Sequence, residues 1–192
     1  MITKKNWEIL TKRHSELEQL VVKKSPFELK WVSRFNAERI KLALLVEVGE
    51  FANEIKSFKA WRKKPEMDRE KAKEELIDCL CFFFGLVDIY KVNMLPALDK
   101  EYKRTDLPFD TDSPLNNNKV LLDFFTKTNE LYIEKNEEFY NSKNPEIKEK
   151  NTYYEWLRIF DLICWKLQFN ELELLKIYSD KNDINLKRVN AK

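Results

Sequence analysis

Glycine is nearly missing from this chain, with 2 among 192 residues, and proline occurs 6 times. Tight hairpin turns rely on residues with positive φ, glycine above all, so a sheet built on short turns has little material here. Strand-like alternation of apolar and polar residues is missing as well. Histidine occurs once, at His14, which rules out a site with several imidazole ligands. The cysteines Cys79, Cys81 and Cys164 are an odd set inside apolar segments, the pattern of buried free thiols in a reducing compartment. Cys79 and Cys81 form a C-x-C pair with no second cluster, a weak zinc pattern. No charge dominates either: 35 Lys and Arg face 33 Asp and Glu, for a net +2. That balance argues against nucleic-acid coating and against a polybasic membrane binder. The start, MITKKNWEIL, lacks the apolar core of a signal peptide, and no apolar run is long enough to span a bilayer, so a cytoplasmic location is expected.

What the chain has is helix-forming sequence in quantity. It is 43% hydrophobic and 35% charged, enough to fill a core and solubilise a surface. Apolar residues recur at helical spacing, so the expected fold is all-α, a bundle of about five to seven helices in a single domain over residues 1–192. The periodicity predicts helices at about Trp7–Val22, Asn36–Phe58, Asp68–Tyr90, Lys119–Tyr140, Thr152–Phe169 and Leu172–Lys181, the last extending towards Arg188. Asp68 is the expected N-cap of the third. Pro96, Pro108, Pro114 and an Asn run mark residues 91–118 as an irregular connector, with one short helix around Ala97–Lys103.

Two of these helices carry acids where apolar packing is expected. LLVEVGEF places Glu47 and Glu50 in an apolar run, and EELIDCLCFFFGL places Glu75 and Asp78 three residues apart among Leu76, Cys79 and Phe82. Residues three apart share a helix face. Ionised carboxylates are costly to desolvate unless a cation meets them. The spacing between the pairs is informative. Antiparallel helices bring residues level when they are equidistant from the turn, and Glu47 with Asp78, like Glu50 with Glu75, share a midpoint between Arg62 and Lys63. That midpoint falls in the predicted AWRKKP turn, so the four acids are expected to converge. On the wheel, the side of the second helix away from the acids carries Leu45, Gly49 and Ala52. A helix apolar on two sides is expected to be buried on two sides, one against the core and one against a second subunit.

Four converging carboxylates repel one another and raise one another's pKa values unless neutralised. With no histidine nearby, an oxygen-only site suits Mg²⁺, with Mn²⁺ as a substitute, better than zinc or copper. Divalent ions held this way can activate a water and stabilise a leaving phosphate. The plainer reading of either motif alone is a pair of surface acids facing lysines. It is the apolar setting and the shared midpoint together that favour a metal site.

The pattern resembles a known family. E47-V-G-E50 followed by E75-L-I-D78 is similar to the E-x-x-E…E-x-x-D signature of the all-α NTP pyrophosphatases, a superfamily that includes MazG-like enzymes and the dimeric dUTPases. ALLVEVGEFANEIKSFKAWRKKP and the C-terminal Y178-S-D-K181-N-D-I-N185-L-K-R188 resemble the dimeric dUTPase branch. The resemblance implies a homodimeric, Mg²⁺-dependent enzyme that converts dUTP, and often dUDP, to dUMP, releasing pyrophosphate from dUTP. It implies Glu47, Glu50, Glu75 and Asp78 as metal ligands, with Glu47 and Glu50 as the catalytic pair and Glu47 as activator of the water. Lys181 and Arg188 match phosphate contacts, and Asn185 matches a residue near the sugar hydroxyl. Trp61 matches an aromatic beside the base, and Tyr178 opens the same C-terminal motif on the nucleoside side. His14 stands where the family commonly offers a Gln to the uracil edge, and an imidazole presents a different donor and acceptor pattern. Cys81 stands where a His is common, and the chain continues R188-V-N-A-K without the family's usual Gln and Gly-Tyr. Hydrolysis of another pyrimidine nucleotide such as dCTP, and a helical interaction module without catalysis, are the rival readings.

Overall fold

The computed structural model describes residues 2–24, 34–59, 61, 67–98, 118–131 and 145–191. These residues form seven helices and no strand: α1 (Lys4–Lys24), α2 (Arg34–Ile55), α3 (Arg69–Tyr90), α4 (Leu95–Leu98), α5 (Asn118–Glu130), α6 (Pro145–Lys166) and α7 (Glu171–Asn190). The all-α expectation is met. The proposed connector lies largely outside the described residues, which leave out 99–117, as do the second half of the expected fifth helix and most of the AWRKKP turn.

The helix ends follow local chemistry. Asp68 caps α3, its side chain accepting from the Lys71 amide at 3.1 Å. Asn170 and Glu173 form a reciprocal capping box at the start of α7, which satisfies two of the amides a helix start leaves free. Helix stops are where the shortage of glycine tells. Left-handed backbone at a helix end normally falls to glycine, yet here it falls to Lys56 (φ 59°), Lys91 (φ 51°) and Gln168 (φ 58°). The left-handed turn at Lys56 ends α2 at Ile55 rather than at Phe58, and Gln168 ends α6 before the expected Phe169. Each such residue costs about 1 kcal/mol against its Cβ. The closing bonds Val92 N–H to Val87 O at 3.0 Å and Phe169 N–H to Cys164 O at 3.0 Å offset part of that.

The core centres on α3 and α6. Phe83 stacks on Trp156 with ring centroids 4.0 Å apart, and Phe124 of α5 and Phe160 flank the same indole. The buried indole N–H donates to Thr128 Oγ1 at 2.9 Å, and that hydroxyl donates to Phe124 O at 2.8 Å, so the polar edge of Trp156 carries no desolvation penalty. Helix α2 lies antiparallel to α3 with Leu44, Val48, Phe51 and Ile55 buried. Helix α5 covers a second side of α2: Phe51 meets Phe124 edge-on, Ser57 donates to Asn118, and Lys41 donates to the carbonyls of Asn129 and Leu131. The two-sided apolar wheel of α2 is therefore explained in part by the chain's own α5, with Ala52 buried. Leu42 and Val46 remain 63% and 51% exposed, and beside Gly49 lies open space.

Helix α7 closes the other side. Lys73 of α3, buried to 6% exposure, pairs with Glu173 of α7 and sits 5.4 Å over the Phe169 ring. Arg69 donates to Gln168 at 2.7 Å in the α6–α7 turn. Helix α1 packs on α7 through Arg13 to Ser179, Asn182 to the Arg13 carbonyl at 3.1 Å, and Lys24 to Asn190 at 2.8 Å.

Candidate active site

The antiparallel α2–α3 pairing brings the acids together as the register requires. Carboxylate oxygens of Glu47, Glu75 and Asp78 lie within 4.8 Å of one another, all three side chains half-buried. Glu50 stands at the rim. It is exposed, so the expectation that all four acids are sheltered fails for this one, because the face of α2 bearing Leu42, Val46 and Gly49 is uncovered in the single chain. Its charge still reaches the cluster, raising the pKa values of Glu47, Glu75 and Asp78.

Burial and crowding act together on the protons of these acids. Burial, then the neighbouring charges of Asp78, Glu50 and Glu75, push the Glu47 carboxyl up to about 7. Glu75 and Asp78 are also raised, burial first in both. Among the described residues, the cation in direct contact is Lys181 of α7, whose ammonium donates to Asp78 Oδ2 at 2.5 Å and lies 3.9 Å from Glu74. Burial pulls Lys181 down, but the bond to Asp78 and the charges of Glu75 and Glu74 outweigh it and leave the ammonium above its usual pKa. With Glu47, Glu75 and Asp78 grouped and Glu74 and Glu50 beside them, the acids outnumber the ammonium of Lys181.

The same face of α7 carries Lys181, Asn185 and Arg188 at the i, i+4, i+7 spacing of one stripe. Arg188 is exposed, faces Asn185 Oδ1 at 3.5 Å, and lowers the Asp78 pKa through its charge. Three of the residues singled out from sequence sit elsewhere. Tyr178 is 1% exposed, packed edge-on against Phe84, with its hydroxyl bonded to the Cys81 thiol. It braces α7 on α3 from inside the core, since the apolar stripe Leu174, Tyr178 faces inward. Trp61 is 74% exposed beyond the end of α2, meeting Phe58 edge-on at 6.2 Å. His14 of α1 packs against the second half of α3, beside Phe84, with its Nε2 about the reach of a Cβ contact from Gly85.

His14 lines a cavity of about 320 Å³ between α1 and the second half of α3, walled by Trp7, Phe84 and Val87 and edged by Asp88 and Lys91. Burial depresses its pKa to about 4, with Asp88 acting the other way. The imidazole is therefore neutral at physiological pH, and its buried Nε2 has no hydrogen-bond partner. Seven residues separate Asp78 from Gly85, so the imidazole stands about 10 Å along the helix axis from the acids. The cysteines take no part in the chemistry. Burial pushes Cys79 and Cys164 well up and Cys81 up to about 12, so none offers a thiolate.

Sequence reasoning missed two residues here. Asn182, beside Lys181, is buried at the α1–α7 seam and its Oδ1 has no partner. A polar residue continuing the inward stripe Leu174, Tyr178 was the available signal. Lys73 was the other, a lysine next to Ala72 and three residues before Leu76 on a buried face.

The donor set fits a divalent cation. It is all oxygen, triply acidic, and held close enough for one hard ion, whose usual coordination number exceeds three. A helical hairpin with E-x-x-E opposite E-x-x-D, faced by a lysine and an arginine from a third helix, is the arrangement that the resemblance to the all-α nucleotide pyrophosphohydrolases implies. The sequence profile of the dUTPase family matches residues 6–192. The chain belongs to that family, which is all-α, and its activity is that of a dUTP diphosphatase, an enzyme class that generally uses a divalent metal. No curated protein matches the chain. Among the described residues no helix is long and apolar enough to cross a membrane.

Proposed function

We propose that this chain, as one domain, hydrolyses dUTP to dUMP and pyrophosphate in the cytoplasm with Mg²⁺ as its metal, and that Mn²⁺ can replace it. The observation that carries the reading is the convergence of Glu47, Glu75 and Asp78 within 4.8 Å, with Lys181 on the flank. Glu47, Glu50, Glu75 and Asp78 would hold the metal, Glu50 from the rim. When bound, the metal supplies charge neutralisation on the phosphates and a more acidic water.

The chain's own residues then divide the work. Glu47, in the midst of the grouped acids, is the base that takes the proton of the attacking water. Lys181 and Arg188 meet the phosphates, the guanidinium offering a forked pair of N–H donors that suits phosphate oxygens. Asn185, three residues before Arg188, meets the sugar hydroxyl. His14 reads the base: a rise of about 10 Å along α3 is the separation that a sugar places between an α-phosphate and the far edge of its base. Its neutral imidazole offers either a donor or an acceptor at Nε2. Trp61 and Phe58 flank the approach to the hairpin end, and Tyr178 supports the nucleoside side from behind. dUDP shares the α-phosphate and the base, and is a second substrate.

The uncovered stripe of Leu42, Val46 and Gly49 on α2, next to Glu50, is the face on which a homodimer would pair. Sedimentation of wild type against Leu42→Asp tests this, with loss of the dimer expected. For the site, Glu50→Gln is compared with wild type for Mn²⁺ uptake and for pyrophosphate release. Both are expected to fall. Unchanged uptake and unchanged hydrolysis would remove the acids from the mechanism.

A further inference from the structure

Lys181 has more than one claim on it. Its ammonium lies 2.5 Å from Asp78 Oδ2, inside the group of carboxylates that would hold the metal, and 3.9 Å from Glu74, one turn back on α3 and outside that group. Glu74 is 54% exposed and the Lys181 side chain 22%. A flexible four-carbon stem with its tip at the solvent edge can reach either acid, or a ligand phosphate, without backbone movement.

We propose that Lys181 alternates between partners: it holds Asp78 until a divalent cation arrives, then moves out to Glu74 or to the nucleotide's phosphates. The inference rests on the reading of the four acids as a metal site. The physical argument is one of shared charge. An ammonium in contact with one carboxylate of the group and a divalent cation among the same oxygens repel each other over a few ångströms, in a setting less screened than water. Asp78 cannot serve both at full strength. The cation in the cage therefore favours the outward position of Lys181, where Glu74 offers a weaker, solvent-exposed contact. By linkage, a phosphate that draws Lys181 away from Asp78 tightens the cation by the factor with which the cation tightens the phosphate. The lysine thus couples the two ligands and keeps the acidic group from collapsing apart when neither is bound.

The opposite reading is that Lys181 stays on Asp78 throughout and orients it as a metal ligand. The two differ in sign. Mn²⁺ alone, without nucleotide, is titrated into wild type, Lys181→Met, Lys181→Gln, Lys181→Arg and Glu74→Gln, with free Mn²⁺ read by electron paramagnetic resonance. If Lys181 competes, Lys181→Met and Lys181→Gln bind Mn²⁺ more tightly, on the order of tenfold. Lys181→Arg stays near wild type, and Glu74→Gln, which removes the outward contact, binds a few-fold more weakly. Equal or weaker binding by both neutral variants, each confirmed folded by its far-ultraviolet dichroism, overturns the proposal while the metal site stands. Wild type that takes up no Mn²⁺ overturns the metal site, and this inference with it. Lys181→Gln is the second neutral variant should Lys181→Met fail to fold.

Discussion

Two lysines tie α3 to α7, and their electrical surroundings are opposite. Lys73 is sealed from water, has Glu173 as its partner with Glu70 at 3.4 Å, and rests on the Phe169 ring. Lys181 sits at the solvent edge among Asp78, Glu75, Glu74 and Glu47, outnumbered by acids. The first is a buried pair with Glu173, Glu70 standing mostly in solvent, and it is joined to a capping box, so it works as a latch that fixes where α7 begins. The second is unbalanced, and the surplus negative charge is what a cation and a substrate can use. An ion pair that is satisfied holds a fold together; one that is left short of positive charge makes a site.

The comparison can be broken at either end. The largest effect is expected from the unbalanced end: Glu47→Gln should lower the rate of dUTP hydrolysis by at least about a thousandfold, or about 4 kcal/mol of transition-state stabilisation, with the fold intact. Steady-state kinetics with saturating Mg²⁺ reads this directly. At the latch, Glu173→Ala strips the partner from a buried lysine and opens the capping box. Its expected cost is about 3 kcal/mol of folding stability, seen as a lower urea midpoint, with a much smaller change in rate. If Glu173→Ala instead abolished turnover at unchanged stability, the division between latch and site would be wrong.

A subtler contrast lies in pH. Glu47 is raised from 4.5 to about 7 in the folded chain. Its contribution to stability is therefore complete below pH 4.5 and is lost as pH rises towards 7. Metal-free wild type should lose melting temperature over that window by a few degrees more than Glu47→Gln does, and divalent metal should restore the difference above pH 7. His14 runs the other way. With its pKa lowered from 6.5 to about 4, it contributes stability above pH 6.5 that is lost as pH falls towards 4. His14→Gln should flatten that acid limb by a comparable few degrees, measurable by thermal melts from pH 7 to 4.

Much of the site was legible because helical hairpins obey simple geometry. The shared midpoint of Glu47 with Asp78 and Glu50 with Glu75 anticipated the grouping of Glu47, Glu75 and Asp78 but not the place of Glu50 at the rim, and the Asp68 cap located the start of α3. Lys181, Asn185 and Arg188 were singled out by the resemblance of the C-terminal motif alone, and α7 sets them at i, i+4, i+7 along one stripe. What sequence could not carry were contacts made at long range. Lys73 and Glu173 are a hundred residues apart, and nothing local marks them as partners. The burial of Tyr178 depends on Phe84 and Cys81, which α7 reaches only after the bundle closes. Nor could the wheel of α2 tell that α5 would cover one apolar side and leave Leu42, Val46 and Glu50 open. The stops at Lys56, Lys91 and Gln168 were hidden for a related reason: with glycine so scarce, the left-handed positions fall to residues that carry no such signal.

The acids' role as a cation site is tested by a panel of nucleoside triphosphates with pyrophosphate detection, run with and without Mg²⁺ on wild type and Glu50→Gln. dUTP should give dUMP and pyrophosphate only with the metal, and the variant should be nearly inactive. Turnover of dCTP but not dUTP would contradict the base assignment of the His14 cavity. Equal turnover of dUTP with the metal removed would contradict the central claim, that these acids work by holding a cation.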